Sequence, residues 1–314
     1  MTITIIGHLC IDEIHAPINP GADPVKHERF GGIYYTLMTL ASIASPKDKI
    51  QPVFGVGERD FEGLIEAVKH LANVETDGIF KIKGETNRVH LFYERTNENR
   101  IECSNHIAEP IPFPKIKPFL DTDGILINMV SGSDITLETL DKIRMTVRDA
   151  RTPMHFDFHS LTMGIDQDYK RFRRPLTDWR RWCFMMNCIQ MSEEEMTGLT
   201  AEKFDEQTLI NHLMPLMVTA LIITRGDRGV TTILQENKRL TRHDHAAASF
   251  GQVVDTVGCG DVFGAAFFSR FIAGKNYLQA TEYANQVAGL KATFNGTEGI
   301  SSITERIGSG SPVG

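Results

Sequence analysis

The stretch Asp255-Thr256-Val257-Gly258-Cys259-Gly260-Asp261 combines residue types that could bind an anion and remove a proton. Two glycines flank one small residue, and apolar residues at helical spacing follow from 262 to 271. The pattern predicts a tight turn at a helix N-terminus, where unpaired N–H groups and the helix dipole favour an anion such as phosphate. A carboxylate at Asp261 would repel that anion. Its position is explained if it takes a proton from a hydroxyl group that attacks the phosphate.

The rest of the chain predicts an α/β sheet that would hold this stretch. Short β-rich segments alternate with helices of apolar periodicity, which is typical of a mostly parallel sheet covered on both faces. The predicted strands are 2–6, 11–15, 51–56, 124–130, 154–158, 183–189, 219–224 and 230–235. The predicted helices are 33–44, 61–68, 137–150, 262–274 and 278–294.

The alternation is interrupted between residues 79 and 105. Short strands are predicted at 79–82, 88–94 and 100–103, with a turn at 96–99. Because no helix intervenes, we expect these strands to be antiparallel. A small β-element inserted in an α/β sheet suggests a lid over the site or a dimer surface.

The overall composition excludes several functional classes. The 314 residues are 41% hydrophobic and 23% charged, which is ordinary for a globular chain. We expect one domain over residues 1–314, with a disordered tail at 308–314. A net charge of −7 provides no positive field for nucleic acid or an anionic membrane. No apolar run is long enough to span a bilayer, and five scattered cysteines without a C-x-x-C pair indicate a reducing cytoplasm.

Two polar segments each admit two interpretations. His155, Asp157 and His159 alternate on one face of a predicted strand, so they could bind a metal or form hydrogen bonds in a pocket. The pocket is the favoured interpretation. The basic and aromatic residues at 170–174 and 179–182 resemble a nucleic-acid surface. A solvated helix whose aromatic side chains pack inward is favoured there, because the chain is acidic overall.

Two further motifs lie where α/β proteins often bind ligands. Gly31-Gly32 precedes a predicted buried helix and is explained equally well by close helix–strand packing or by backbone exposed to a ligand. Ser192 with Glu195 predicts a capping box at a helix start. The same acid follows a strand's carboxyl end, which is the usual edge for a ligand site.

The sequence resembles the ribokinase-like (PfkB) family of carbohydrate and nucleoside kinases from about residue 3 to residue 303. The most specific part is D-T-V-G-C-G-D-V-F at 255–263, close to the family's D-T-x-G-A-G-D-x-F. The other matching motifs are Gly7 with Asp12, Gly31-Gly32, G-V-G-x-x-D at 55–60, S-x-x-E at 192–195 and T-x-G-x-x-G at 224–229.

The resemblance implies a three-layer α/β/α fold with a mostly parallel central sheet and a small antiparallel β-sheet lid, built from residues 11–15 and 79–105. It implies an ATP-dependent transfer of the γ-phosphate to a hydroxyl of a sugar or related small alcohol, with Mg²⁺ and, in many relatives, a monovalent cation. A nucleoside kinase of the same fold and a non-catalytic ligand-binding relative are the alternatives. We therefore expect a sugar or nucleoside-like small molecule as the partner, no nucleic acid or membrane, and a homodimer surface on the lid.

The resemblance also assigns roles to individual residues. Asp261 would be the general base, and Gly258, Cys259 and Gly260 would bind the γ-phosphate through backbone N–H groups. The remaining assignments are Asp12, Gly31, Gly32 and Thr36 for the substrate, Thr224, Gly226, Gly229 and Asn285 for the nucleotide, and Glu195 for Mg²⁺.

The sequence departs from the family pattern at several positions. Thr36 and Ser192 stand where asparagines are common, and Asp157-Phe158-His159 replaces D-x-N, so we expect an unusual substrate. Val257 and Cys259 replace threonine and alanine at positions that act through the backbone. Because a thiol pKa falls at a helix N-terminus, we expect thiol reagents to modify Cys259 and inactivate the protein, with ATP protecting it.

Overall fold

The computed structural model describes residues 1–17, 24–93, 100–236 and 239–308. The strands in these segments are β1 Thr2–Ile6, β2 Leu9–Pro17, β3 Pro24–Gly32, β4 Lys49–Gly57, β5 Ile79–Ile82, β6 Asn87–Tyr93, β7 Arg100–Asn105, β8 Gly124–Asn128, β9 Met154–Asp157, β10 Met163–Ile165, β11 Arg171–Arg173, β12 Cys188–Ser192, β13 Ala220–Thr224, β14 Val230–Glu236 and β15 Arg239–His245. The predicted turn at 96–99 and all of the predicted tail beyond residue 308 lie outside the described segments.

The central sheet has the strand order β15-β14-β13-β12-β9-β8-β1-β4-β5. Neighbours from β13 to β5 are parallel, and β14 and β15 add an antiparallel edge. The register places Asn128 beside Asp157 and Ser192 beside Thr224, at the carboxyl ends of their strands. Ligand sites of parallel sheets form at this edge, so the fold gathers polar residues from distant segments where chemistry is expected.

The helices are α1 Ile33–Ile43, α2 Glu58–Val68, α3 Phe113–Ile116, α4 Leu137–Val147, α5 Trp179–Cys183, α6 Glu193–Gly198, α7 Glu206–Leu213, α8 Cys259–Gly274, α9 Tyr277–Lys291 and α10 Ile303–Gly308. One group, formed by α1, α8, α9 and α10, packs together, and α4 contacts α3 and α5 in another. The apolar α8 packs closely against the sheet: a Cβ atom at Gly124, the first residue of β8, would lie 2.8 Å from Phe268 on α8. The predicted three-layer α/β/α fold is confirmed. Among helices in the described segments, none is both long and apolar enough to cross a bilayer.

A second, smaller sheet has the order β3-β2-β6-β7 and is called the lid sheet below. Its outer pairs are antiparallel, and its central pair β2–β6 is parallel. The strand β3 was not expected from the sequence. The prediction that residues 79–82 pair antiparallel in the lid is wrong, because β5 lies parallel to β4 at the edge of the central sheet. The connection through α2 explains this, since a strand–helix–strand unit returns the chain in the same direction.

Two other predicted elements differ in the structure. The predicted strand 183–189 begins only at Cys188, since Trp179–Cys183 is helical and Met185 has a φ of 60°. Residues 170–174, expected as a helix, contain the short strand β11, which pairs with β10. The inward packing predicted for the aromatic residues in this region is correct for Trp179 and Trp182, which are buried, and wrong for Phe172, which is exposed.

Candidate active site

The glycine turn predicted from the sequence lies at the N-terminus of α8. Gly258 has a φ of 80°, and a Cβ atom there would lie 2.4 Å from the ring of Tyr35. Only glycine satisfies both constraints. In the described chain, the N–H groups of Gly258 and Gly260 bond no main-chain carbonyl, whereas that of Cys259 donates to Thr256 O at 3.2 Å. The two glycines therefore supply the N–H groups that are free for an anion.

Asp261 lies in the first turn of α8 and is 5% exposed. Asn128 Nδ2 donates a hydrogen bond to Asp261 Oδ1 at 2.5 Å, and His159 Nε2 lies 3.8 Å from the same oxygen. Burial raises the pKa of Asp261, while the positive charge of His159 and the Asn128 hydrogen bond oppose that shift. The result is a more basic carboxylate that is still held in one orientation, as a general base requires.

Asp12 lies on β2 and is 3% exposed. Cys10 Sγ donates to Asp12 Oδ1 at 3.2 Å, but the buried Oδ2 has no hydrogen-bond partner among the described residues. Burial raises the pKa of Asp12 to about 6, although Arg29 across the strand pair opposes the shift and Asp261 adds to it. Burying a carboxylate oxygen without a partner is costly. The free oxygen is therefore suited to accept a hydrogen bond from a substrate hydroxyl group.

Gly31 and Gly32 each require glycine, but for different structural reasons. A Cβ atom at Gly31 would lie 2.3 Å from the Asp12 carboxylate, so this glycine makes room for the acid. Gly32 has a φ of 60°, and its Cβ atom would lie 2.6 Å from Val130. Close packing thus explains Gly32, and Gly31 belongs to the surroundings of Asp12. Thr36, on α1, is fully buried, and its hydroxyl group lacks a partner within the described segments.

We expect Asp12→Asn to stabilise the fold at pH 8 while impairing function. The folded-state pKa of about 6 exceeds the reference value of 3.8, so stability from Asp12 is complete below pH 3.8 and is lost as pH rises through 6. At pH 8 the ionised acid costs at most about 3 kcal/mol. The gain in melting temperature should therefore shrink toward pH 4. A variant less stable than the wild type at pH 8 would contradict this expectation, and exposed Asp149→Asn serves as the control.

The charges of three acids act on His159: Asp157 and Asp261, which are buried, and Glu195, which is partly buried. Burial raises the pKa of Asp157 and of Glu195, as it does for Asp261. For His159, burial alone would lower the pKa, but the charges of these three acids outweigh it and raise the pKa. His155 does not share this environment: it lies fully buried against Phe268, and burial lowers its pKa to about 3. The hydrogen-bonded pocket favoured for this strand therefore includes Asp157, which accepts hydrogen bonds from His159 N and Gln190 Nε2, but not His155, whose ring nitrogens have no partner among the described residues.

The predicted capping box at the start of α6 is confirmed. Glu195 N donates to Ser192 Oγ at 3.1 Å, and Ser192 N donates to Glu195 Oε2 at 2.8 Å. Glu195 is also close enough to Asp157 and His159 for their charges to affect one another. The carboxylates of Asp157 and Glu195 are hard oxygen groups of the kind that Mg²⁺ prefers, so each is chemically suited to bind this ion.

The residues expected at the nucleotide lie together at the antiparallel edge of the central sheet. Thr224 ends β13, Gly226 has a φ of 60°, and Gly229 would clash with His245 O at 2.0 Å if it carried a Cβ atom. A cavity of about 330 Å³ opens beside them. It is lined by Arg225, Arg228, Val230, Thr231, Arg242, Asp244, His245 and Ala246. Asn285 Nδ2 donates to Ala246 O at 2.7 Å, which places Asn285 at the same cavity.

Asp255 connects the glycine turn to the lid sheet. Its Oδ2 accepts hydrogen bonds from Arg29 on β3 at 2.8 Å and from Gly296 N at 2.9 Å. Its Oδ1 accepts one from Val257 N at 2.9 Å. Burial would raise the pKa of Asp255, but these hydrogen bonds, together with the charges of Lys291 and Arg29, lower it. Asp255 is therefore a structural acid that stays ionised and holds the turn in place.

Comparisons with known proteins agree with this geometry. Residues 172–304 match the model of the pfkB family carbohydrate kinases. The ribokinase of Thermotoga maritima has the same fold, with a TM-score of 0.75 at 18% identity over 98% of this chain and 99% of that chain. The chain therefore has the ribokinase fold, and its residues 172–304 resemble the pfkB family carbohydrate kinases. The resemblance stated from the motifs is thereby confirmed.

Two other solved structures share the ribokinase-like fold. The Arabidopsis thaliana ribokinase complexed with ribose and ATP has a TM-score of 0.69 at 17% identity, over 94% of this chain and 93% of that chain. A pyrophosphate-dependent kinase in the ribokinase family, complexed with a pyrophosphate analogue and myo-inositol, has a TM-score of 0.73 at 16% identity, over 94% and 96%. At these identities the likeness shows the fold.

Curated relatives match this ribokinase-like chain in part. The Bifunctional protein HldE of Shewanella piezotolerans is 34% identical over 84 residues, which are 27% of this chain and 17% of that protein. The Arabidopsis thaliana ribokinase is 30% identical over 112 residues, 35% of this chain and 28% of that protein. HldE of Pasteurella multocida is 21% identical over 287 residues, 88% of this chain and 55% of that protein. The chain thus spans about half or less of these relatives.

The expectation of a reactive Cys259 in this ribokinase-like protein is wrong. Burial raises the pKa of the Cys259 thiol to about 11 despite the nearby charge of Lys291. We expect iodoacetamide at pH 7.5 to modify Cys259 much more slowly than free cysteine, because little thiolate is present. Peptide mapping by mass spectrometry would measure this rate. Rapid labelling of Cys259, absent in Cys259→Ala, would contradict the structure.

Several site residues of the ribokinase-like chain were not singled out from the sequence. Asn128 could have been found, because it is the polar residue that ends a wholly apolar strand. Lys291 interrupts the apolar spacing of the last helix, which is a weaker signal. Arg29 and Tyr35 gave no local signal, since their importance comes only from contacts with the glycine turn.

Proposed function

We propose that this ribokinase-like protein is an ATP-dependent phosphotransferase that moves the γ-phosphate to a hydroxyl group of a sugar or related small alcohol. One observation carries the proposal: the buried, hydrogen-bonded carboxylate of Asp261 directly follows a glycine turn whose N–H groups are free. An anion site with an adjacent base is what phosphoryl transfer to an alcohol requires.

In the proposed reaction, Asp12 orients the acceptor through its unpaired Oδ2, and Asp261 accepts the proton of the attacking hydroxyl group. Burial makes Asp261 more basic, while Asn128 fixes its orientation. The N–H groups of Gly258 and Gly260, with the N-terminus of α8, would stabilise charge on the transferred phosphoryl group. Positioning and electrostatic stabilisation therefore provide most of the catalysis.

The donor would lie between the glycine turn and the cavity beside Thr224, Gly226, Gly229 and Asn285. Glu195 and Asp157 would hold Mg²⁺, which neutralises charge on the phosphates when bound. ATP is proposed because the matched Arabidopsis ribokinase structure contains ATP with ribose. The acceptor is proposed as a sugar because the family match is to carbohydrate kinases.

A coupled assay of ADP release would test the proposal. Purified protein with ATP and Mg²⁺ should release ADP in the presence of at least one member of a panel of sugars, polyols and nucleosides. Pyrophosphate should be assayed as a second donor, since one matched structure is of a pyrophosphate-dependent kinase. Saturable ligand binding with no transfer from either donor would identify a non-catalytic relative and overturn the proposal.

We also propose that the chain folds as one domain and forms a homodimer through the lid sheet. Phe92 on β6 and Ile101 on β7 are paired across the two strands and are 39% and 36% exposed, so together they form a small apolar patch that a second copy could cover. Light scattering coupled to size-exclusion chromatography would test this, and a monomeric mass at micromolar concentration would overturn the dimer.

A further inference from the structure

Lys291, the last residue of α9, is a completely buried lysine beside the glycine turn. Its ammonium group donates hydrogen bonds to Asp255 O at 3.0 Å and Phe294 O at 3.4 Å, and lies 3.7 Å from Asp255 Oδ2. The rings of Tyr35 and Phe294 face it, with centroids 5.8 and 5.5 Å away. Lysine is almost never fully buried unless its charge is balanced.

The surroundings of this ammonium group resemble those of a bound monovalent cation. Within the described segments, its polar contacts are all with oxygen atoms: two main-chain carbonyls and one carboxylate. Two aromatic faces add the cation–π attraction that replaces part of the lost hydration. A buried charge needs such partners, whether it belongs to the protein or to a bound ion.

The position of Lys291 links it to the phosphate end of the site. Asp255, which it contacts twice, begins the stretch that forms the glycine turn. The Tyr35 ring that faces Lys291 also lies where a side chain at Gly258 would project. The Lys291 charge acts on both Cys259 and Asp261, since it lowers the pKa of each against the larger effect of burial. The ammonium group of Lys291 therefore places a positive charge beside the predicted anion site, although burial lowers its pKa.

We propose that the Lys291 ammonium group is a built-in cation that replaces a bound monovalent cation at the glycine turn. The expectation of a monovalent cation at this turn does not fit the structure, because the oxygen atoms that would coordinate it there are bound by Lys291. Phosphoryl transfer should then be independent of K⁺ and Na⁺. The expected effect on the rate of phosphoryl transfer rests on the proposed function. The expected binding of K⁺ in place of the Lys291 ammonium group does not.

The kinetic test compares the wild type with Lys291→Ala and Lys291→Met in buffers whose monovalent cation is tetramethylammonium, K⁺ or NH₄⁺. The wild type should transfer phosphate at the same rate in all three buffers. Lys291→Ala should lose about 10²-fold in kcat in tetramethylammonium, as for removal of one charge-stabilising group. K⁺ or NH₄⁺ should restore much of it by entering the space left by the ammonium group. In Lys291→Met the methionine side chain fills that space, so K⁺ and NH₄⁺ should not restore its kcat.

Lys69→Ala, at an exposed lysine that follows the last residue of α2, is the matched control and should behave as the wild type. A wild type that requires K⁺, or a Lys291→Ala variant that K⁺ does not restore, would overturn the proposal. A purely structural lysine would lower the melting temperature of the variant without any cation-specific recovery of kcat.

Thermal unfolding provides a readout that does not depend on activity. K⁺ should raise the melting temperature of Lys291→Ala above its value in tetramethylammonium, and should leave the wild type unchanged. If K⁺ stabilises the wild type equally, or fails to stabilise the variant, the inference is wrong. If no donor and acceptor support transfer but these shifts appear, the proposed function fails and the built-in cation stands. If a variant does not fold in any buffer, the wild type decides the question: a rate or melting temperature that rises with K⁺ would overturn the proposal.

Discussion

Replacing Asp261 by asparagine should reduce phosphoryl transfer by about 10³-fold, because the general base is removed. The fold should persist, since asparagine has the same shape and its amide oxygen can accept the hydrogen bond that Asn128 donates to Asp261 Oδ1 at 2.5 Å. The affinity for ATP should be retained or rise, because a negative charge beside the phosphate site disappears. Steady-state kinetics and calorimetric titration with ATP would measure the two effects separately.

Glu138→Gln is a suitable control for Asp261→Asn, since Glu138 is an exposed acid in the first turn of α4. It removes the same charge from a helix N-terminus outside the site. Near-normal turnover of Asp261→Asn would exclude Asp261 as the base. The wild type should lose activity on the acidic side at a pH above the ordinary value of 3.8 for an aspartate, because burial raises the pKa of Asp261.

Replacing Asp255 by alanine should destabilise the protein by about 3–5 kcal/mol, the usual cost of leaving a buried charge without its partner. The variant leaves Arg29 and Lys291 without a carboxylate, and the N–H groups of Gly296 and Val257 without an acceptor. The glycine turn should also lose its attachment to the lid sheet. Urea unfolding would measure the change, and Asp255→Asn should lie between alanine and the wild type.

The pH dependence of this effect has a defined sign. The pKa of Asp255 is lowered below 3.8 in the folded state, so its stabilisation is complete above the unfolded value. It is lost as pH falls through the folded-state pKa. The wild type and Asp255→Ala should therefore differ by a constant amount near neutral pH and converge in acid. A loss no greater than that of exposed Asp149→Ala would show that the network does not support the turn.

The local part of the site was readable from the sequence. The turn at Gly258 and the helix after it depend on glycine's access to a positive φ and on apolar spacing, which are properties of adjacent residues. The capping box of Ser192 and Glu195 is equally local, since both hydrogen bonds join residues three apart. The three-layer fold could also be predicted, because the alternation of strands and helices is a pattern of neighbouring residues.

Only the tertiary structure decided which distant groups meet at this turn. Asn128 reaches Asp261 across 133 residues, and Arg29 reaches Asp255 across 226. The pairing of β5 with β4 and the pKa of Cys259 likewise depend on how the chain packs. A short stretch of sequence contains no signal for burial or for charge pairs between distant residues, because both arise only when the sheet brings its strand ends together. The sequence alone therefore determined the glycine turn and the acid that follows it, and the folded structure determined the groups that orient the acid and balance its charge.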